Sequence, residues 1–176
     1  MKPSWKTTII LTAIAGATIS AISIFQRTNQ PSIALTEEWI ATQVADGDSI
    51  TVRQTDGSQM SVELCGIDAP ELKQGKTPGQ PLANEAKQKL LKLIAAADNQ
   101  LMIVPVAKDS DGRTVAEVMA HGQGEAEISF QEELLKSGLA KTRLGGVECP
   151  NQIAFEQAQK IAIASKTGVW SQDKPN

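Results

Sequence analysis

The stretch from Ser49 to Leu64 restricts the fold more than any other part of the chain. Ile50 and Val52 alternate with Thr51 and Arg53, and Met60, Val62 and Leu64 alternate with Ser61 and Glu63. A period of two is the mark of a strand with one buried face. Between the two runs lies Thr55-Asp56-Gly57, a three-residue hairpin loop with glycine where φ must be positive. Pairing across this loop sets Val52 opposite Met60, Ile50 opposite Val62 and Ser49 opposite Glu63. The apolar residues then share one face, and Ser49, Thr51, Arg53, Ser61 and Glu63 share the other.

Glu38 to Val44 reads as a preceding strand. From Pro81 the period changes: Leu82, Ala86, Leu90, Leu93 and Ala97 recur at three- and four-residue steps, which predicts a helix with Pro81 in its first turn and Asp98-Asn99 at its end. Leu101 to Val106 and Val115 to Met119 read as strands around a turn at Lys108 to Gly112. Ser129 to Ser137 reads as a helix capped by Ser129, and Pro150 to Lys166 as a last helix. Strands first, with helices inserted between and after them, indicate an α+β domain built on a small, partly open antiparallel barrel.

One compact domain accounts for residues 35–176, and residues 1–34 read as an export segment with a linker. Lys2 and Lys6 precede 19 uncharged residues, Thr7 to Phe25. This run fits either a cleaved signal, with small residues at Ala21-Ile22-Ser23 or Ser32-Ile33-Ala34, or an uncleaved membrane tether through residues 7–25. The expected location is secreted, periplasmic or anchored on the extracytoplasmic side, as a monomer. Removing residues 1–34 takes away Lys2, Lys6 and Arg27 and no acid, leaving 14 basic against 20 acidic residues and a net charge of −6 instead of −3. So acidic a domain does not hold nucleic acid through a broad basic surface, which relies on many Lys and Arg. Cys65 and Cys149 fit either a disulfide or buried thiols.

Two acidic turns remain, Asp46-Gly47-Asp48 and Asp68-Ala69-Pro70-Glu71. The hairpin register places Leu64 opposite Asp48, and the chain runs on only four residues to Asp68, so both turns fall at one end of the strand pair. Carboxylates gathered this way repel unless a cation joins them. Oxygen donors without cysteine or histidine favour a hard cation such as Ca²⁺.

These motifs resemble the staphylococcal nuclease (thermonuclease) family. The matching segments are VADGDSI at 44–50, VELCGIDAPE at 62–71, PLANEA at 81–86, Gly112-Arg113, Gly138-Leu139-Ala140 and Gly168-Val169-Trp170. They run in family order and spacing over about residues 38–171. The resemblance implies a five-stranded OB-type antiparallel barrel with three helices, one Ca²⁺, and hydrolysis of phosphodiesters in single-stranded DNA or RNA. It implies that Asp48, Asp68 and the backbone carbonyl of Ala69 hold the metal, with Asp46 behind them. Glu71 would be the general base, and Arg113 would neutralise charge on the phosphate.

Two departures stand out. Glu63 occupies the position where the family carries a second catalytic arginine, which implies reduced activity. Arg53 lies on the same strand face but about 13 Å from the place to be filled. Glu63 is therefore either an extra metal-proximal carboxylate or a salt-bridge partner of Arg113. The chain also has no tyrosine: the family's stacking positions are Asp111, Leu144 and Gly146, which removes an aromatic platform worth about 1 to 3 kcal/mol per base. Trp39, Trp170, Phe130 and Phe155 read as core or anchor residues, and Asp109 to Gly112 as a solvated turn. The alternative function is an inactive domain of the same fold that binds calcium, nucleic acid or protein.

Overall fold

The computed structural model describes residues 38–121, 126–143 and 145–171. Its elements are β1 (Glu38–Val44), β2 (Ser49–Arg53), β3 (Gln59–Leu64), β4 (Ile67–Asp68), α1 (Ala83–Ala96), β5 (Gln100–Lys108), β6 (Thr114–His121), β7 (Glu127–Ser129), α2 (Phe130–Lys136), β8 (Lys141–Thr142) and α3 (Gln152–Ser165). A single 3-10 turn follows at Gly168–Trp170. The expected export segment lies outside the described residues. Among the described residues no helix is long and apolar enough to cross a membrane.

The hairpin forms in the register the alternation predicts, with Ser49 opposite Glu63, Ile50 opposite Val62 and Val52 opposite Met60. The sheet order β3-β2-β1-β5-β6 closes on itself because β3 also pairs with β6. This gives the five-stranded barrel with three helices. Four of its strand contacts are antiparallel, whereas the closing pair, Val62 to Leu64 against Thr114 to Ala116, is parallel. Parallel neighbours need a long crossover, and α1 with β5 supplies it. Register shifts at Ala41/Gln43 and Pro105/Ala107 bend β1 and β5, as closure of so small a barrel requires.

The barrel core includes Ile50, Val52, Val62, Leu64, Leu101 and Val118, all buried. α1 starts later than the sequence suggests. Leu82 is its N-cap in a left-handed conformation, φ 67°, and Pro81 stands outside. Its buried stripe is Ala83, Ala86, Leu90 and Ile94, so Ile94 takes the place expected of Leu93, which is only partly buried. Asp98 and Asn99, both with positive φ, end the helix as predicted. α2 is capped by the Ser129 hydroxyl, which accepts from the Glu132 N–H. Phe130 and Phe155 are core residues.

Two buried polar side chains tie the helices to the barrel. Gln131 in α2 accepts from the Val118 N–H at 3.2 Å and donates to the Ala116 carbonyl at 3.1 Å, so it continues the ladder of β6 like an added strand. Glu117 in β6 accepts from the backbone N–H and the side-chain Nδ2 of Asn151, both at 2.6 Å. A carboxylate therefore closes the start of α3, where unpaired N–H groups and the helix dipole favour negative charge. Cys65, just after β3, is disulfide-bonded to Cys149, just before α3, with 6.1 Å between their Cα atoms. Gly66 lies under this bond at φ 73°, and a Cβ there would sit 2.8 Å from the Cys149 sulfur.

Candidate active site

Both acidic turns lie at the end of the barrel where β1 passes into β2 and β3 into β4. Gly47 lets them touch. A Cβ at that position would come within 2.7 Å of the Cβ atoms of both Ala69 and Ala86, so only glycine admits the second turn and α1 together. The Asp46 carboxylate accepts from the Asp48 N–H at 3.2 Å and shapes the first turn. The Asp48 carbonyl accepts from the Leu64 N–H at 2.8 Å, and its Oδ2 accepts from the Ala69 N–H at 2.7 Å.

Asp48 is only 5% exposed. Burial pushes its carboxyl up to about 8, the Ala69 N–H pulls the other way, and Asp46 and Glu63 add repulsion. Asp68, in contrast, is 64% exposed at its side chain. It sits in β4 opposite Lys141 of β8. Glu71 begins a loop whose ends are held together: its N–H donates to Gln80 Oε1 and its carbonyl accepts from the Gln80 N–H. Partial burial raises the Glu71 carboxyl above the usual range, and Asp46, Asp68 and Glu63 raise it further, while Arg113 lowers it. Glu71 thus lies within electrostatic reach of the other acids and of Arg113.

Glu63 is the hub of this end of the barrel. Its side chain is 7% exposed and accepts from Arg113 Nη1 at 2.6 Å, from Arg143 Nη2 at 2.8 Å and from Ser49 Oγ at 3.3 Å. Of the two readings the sequence left open, the salt bridge with Arg113 is the one observed. The parallel β3–β6 pair produces it by setting Glu63 beside Val115, two residues from Arg113. Arg113 is held from the other side by Asp109, whose Oδ2 accepts from Nε at 2.7 Å. Partial burial works against the Arg113 charge, but Asp109 and Glu63 outweigh it and hold the guanidinium above its ordinary value. The Asp109 to Gly112 segment is a turn around its own carboxylate, which accepts from the N–H groups of Asp111 and Arg113. Arg53 stands opposite Gln59 at the far end of β2, out of reach as expected.

Arg143 is the residue the sequence reading missed. It follows β8, its N–H donates to the Gly66 carbonyl at 2.9 Å, and its Nη2 lies 3.5 Å from Asp68 Oδ1 as well as on Glu63. The one signal in the sequence was its charge, opposite to Glu63 and 80 positions away. Only the pairing of β4 with β8 relates the two.

The donor set of Asp48, Asp68 and the Ala69 carbonyl is oxygen only. Among the described residues no three His, Cys, Asp or Glu side chains converge as a ready metal cage. A buried carboxylate whose charge burial penalises, beside exposed Asp68, nonetheless fits a hard cation that keeps waters for its other ligands. None of the family's tyrosine positions carries a ring among the described residues: Asp111 and Gly146 are exposed, Leu144 lies outside the described residues, and the Trp170 ring faces the Lys141 ammonium at 5.0 Å. A cleft of about 380 Å³ opens beside the acids, lined by Asp68, Pro70, Gln80, Lys141 and Val169 among others.

Fold and site together define an α+β protein built on an OB-type barrel, with an acid cluster and paired guanidiniums at one end. Residues 61–172 match the family described as staphylococcal nuclease homologue, and the chain belongs to that family. It is 34% identical to the thermonuclease of Staphylococcus hyicus over 73% of each chain. It is 31% identical to the thermonuclease of Staphylococcus intermedius over 76% of each. With the probable endonuclease LCL3 of Candida glabrata it shares 28% identity over 89% of this chain and 61% of that one.

Proposed function

We propose that this protein is a calcium-dependent endonuclease that hydrolyses phosphodiesters in single-stranded DNA or RNA. The observation that carries the reading is the meeting of Asp48, Asp68, Glu71 and Arg113 at one end of the barrel. Asp48, Asp68 and the Ala69 carbonyl are the residues to hold Ca²⁺, with Asp46 shaping their turn. Calcium bound there would supply positive charge to a phosphate oxygen. Glu71 is the general base. Its raised carboxyl is a better proton acceptor than an ordinary glutamate, and it takes a proton from the attacking water. Arg113 neutralises charge that builds on the phosphoryl oxygens as the leaving oxygen departs.

Glu63 and Asp109 already occupy Arg113 at 2.6 and 2.7 Å, so the guanidinium must share those bonds to reach a phosphate. A modest rate is the expected result. The same contacts support a second reading, an inactive domain that binds ligands at this surface. Residues 1–34 are assigned to export or anchoring, and the monomeric domain to 35–176. The Cys65–Cys149 bond supports an oxidising, extracytoplasmic location. The test is cleavage of a labelled single-stranded oligonucleotide by the full chain in Ca²⁺ and in chelator. Calcium-dependent cleavage that Glu71→Gln abolishes supports the enzyme, and wild-type cleavage no faster than Glu71→Gln supports the binding module.

A further inference from the structure

We propose that Arg143 is a phosphate-binding residue of this site, working beside Arg113, and that Glu63 is the positioning residue that presents both guanidiniums to the substrate. The inference rests on the nuclease reading, whose arginine complement it completes. Glu63 serves the two cations with separate oxygens, Oε2 to Arg113 Nη1 and Oε1 to Arg143 Nη2. A carboxylate buried at the barrel end thus holds two planar forks side by side. Their outer parts remain accessible, the side chains being 36% and 43% exposed.

The two forks are unequally committed. Arg113 spends Nε on Asp109 and Nη1 on Glu63. Arg143 spends only Nη2, and among the described residues nothing accepts a hydrogen bond from its Nε or Nη1. A guanidinium has five N–H donors in a fixed fork suited to two oxygens of one phosphate. Arg143 therefore keeps Nε and Nη1, either of which can form a fork with the second hydrogen of Nη2. Partial burial disfavours its charge, but Glu63, Asp68 and Asp48 outweigh that and keep it cationic.

The backbone under Arg143 is well anchored, as a binding fork requires. Its N–H is bonded to Gly66, Asp68 and Ile67 pair with Lys141 and Thr142, and the Thr142 N–H and Oγ1 bond the Gln159 side chain of α3 at 2.8 and 2.9 Å. Arg143 Nη2 also lies 3.5 Å from Asp68 Oδ1, which puts the guanidinium next to the acidic turn, where the phosphate must come. On this view Glu63 does not cancel a catalytic arginine. It relocates one, from β3 to the segment after β8.

A purely structural counter-ion for Glu63 would be replaceable by lysine, whereas a bidentate phosphate fork would not. Full-length wild type, Arg143→Ala, Arg143→Lys and Glu71→Gln are compared in two assays with a fluorescent sixteen-nucleotide oligothymidylate, alongside thermal melting of each. Anisotropy in EDTA at low salt reads binding without turnover. Steady-state cleavage in Ca²⁺ reads kcat and KM. The expected result is affinity at least ten-fold weaker and kcat about 100-fold lower for Arg143→Ala, with Arg143→Lys melting like wild type yet regaining less than a tenth of the lost kcat. Affinity of Arg143→Ala equal to that of wild type in EDTA overturns the proposal whether or not the wild type cleaves. Full recovery of kcat by Arg143→Lys overturns it as well. Wild-type cleavage no faster than Glu71→Gln counts against the nuclease reading alone, and the anisotropy comparison still decides Arg143.

Discussion

Asp48→Asn is expected to stabilise the protein when divalent cations are chelated. The folded-state carboxyl is raised from 3.8 to about 8, chiefly because burial penalises its charge. In the unfolded chain an aspartate titrates near 3.9. Between those values the folded protein binds a proton that the unfolded chain has released. Its contribution to stability is therefore greatest below about pH 4 and is lost as pH rises toward about 8. About four units at 1.36 kcal/mol each set a ceiling near 5 to 6 kcal/mol. Relaxation and water reaching the turn reduce this, so a penalty of about 2 kcal/mol at pH 8 is the working figure. Asparagine removes the charge but keeps an oxygen to accept from the Ala69 N–H. In EDTA at pH 8 the variant should melt about 6 °C above wild type, taking about 3 °C per kcal/mol for a domain of this size, and at pH 4 the two should coincide. In Ca²⁺ at 100 times its Kd, wild type should gain about 2.7 kcal/mol and the variant little. Calorimetry at pH 4 and 8, in EDTA and in Ca²⁺, measures all four cases. A difference between wild type and variant that stays flat with pH in EDTA would refute the account of Asp48.

Glu63→Arg places a third guanidinium between Arg113 and Arg143 in a site only 7% exposed. It should cost about 3 kcal/mol or more, read by urea denaturation, and a stable variant with faster cleavage would contradict the hub role of Glu63. Reducing Cys65–Cys149, or replacing both residues by serine, opens a loop of 84 residues and should lower stability by about 3 to 5 kcal/mol in matched denaturant curves. Glu117→Ala leaves the start of α3 without its acceptor and should cost about 2 kcal/mol with an unchanged denaturant slope; a loss below about 0.5 kcal/mol would mean that water replaces the cap.

Local pattern carried much of the fold. The Thr55 to Gly57 loop fixed the register of β2 and β3, because a one-residue slip would send Ile50, Val52 and Val62 to the wrong face. Ser129, Asp98 and Asn99 marked helix ends through their own backbone preferences. The start of α1 was not legible, since a positive φ at a leucine such as Leu82 is not signalled by its residue type, and Ile94 took the buried place expected of Leu93 through the pitch of the helix from Ala83.

The acidic turns were legible for the same reason as the hairpin: short spacing along one chain segment, and a register that carried Asp48 and Asp68 to a common end. The sequence by itself thus determined that the two acidic turns share one end of the hairpin and that Glu63 stands near them. The meaning of Glu63 was decided by tertiary structure. Arg113 reaches it through the parallel β3–β6 closure, and Arg143 reaches it from 80 residues away through the pairing of β4 with β8. These contacts depend on how the barrel closes, and hydrophobic periodicity, which records only which face of each strand is buried, says nothing of which distant charges closure will bring together.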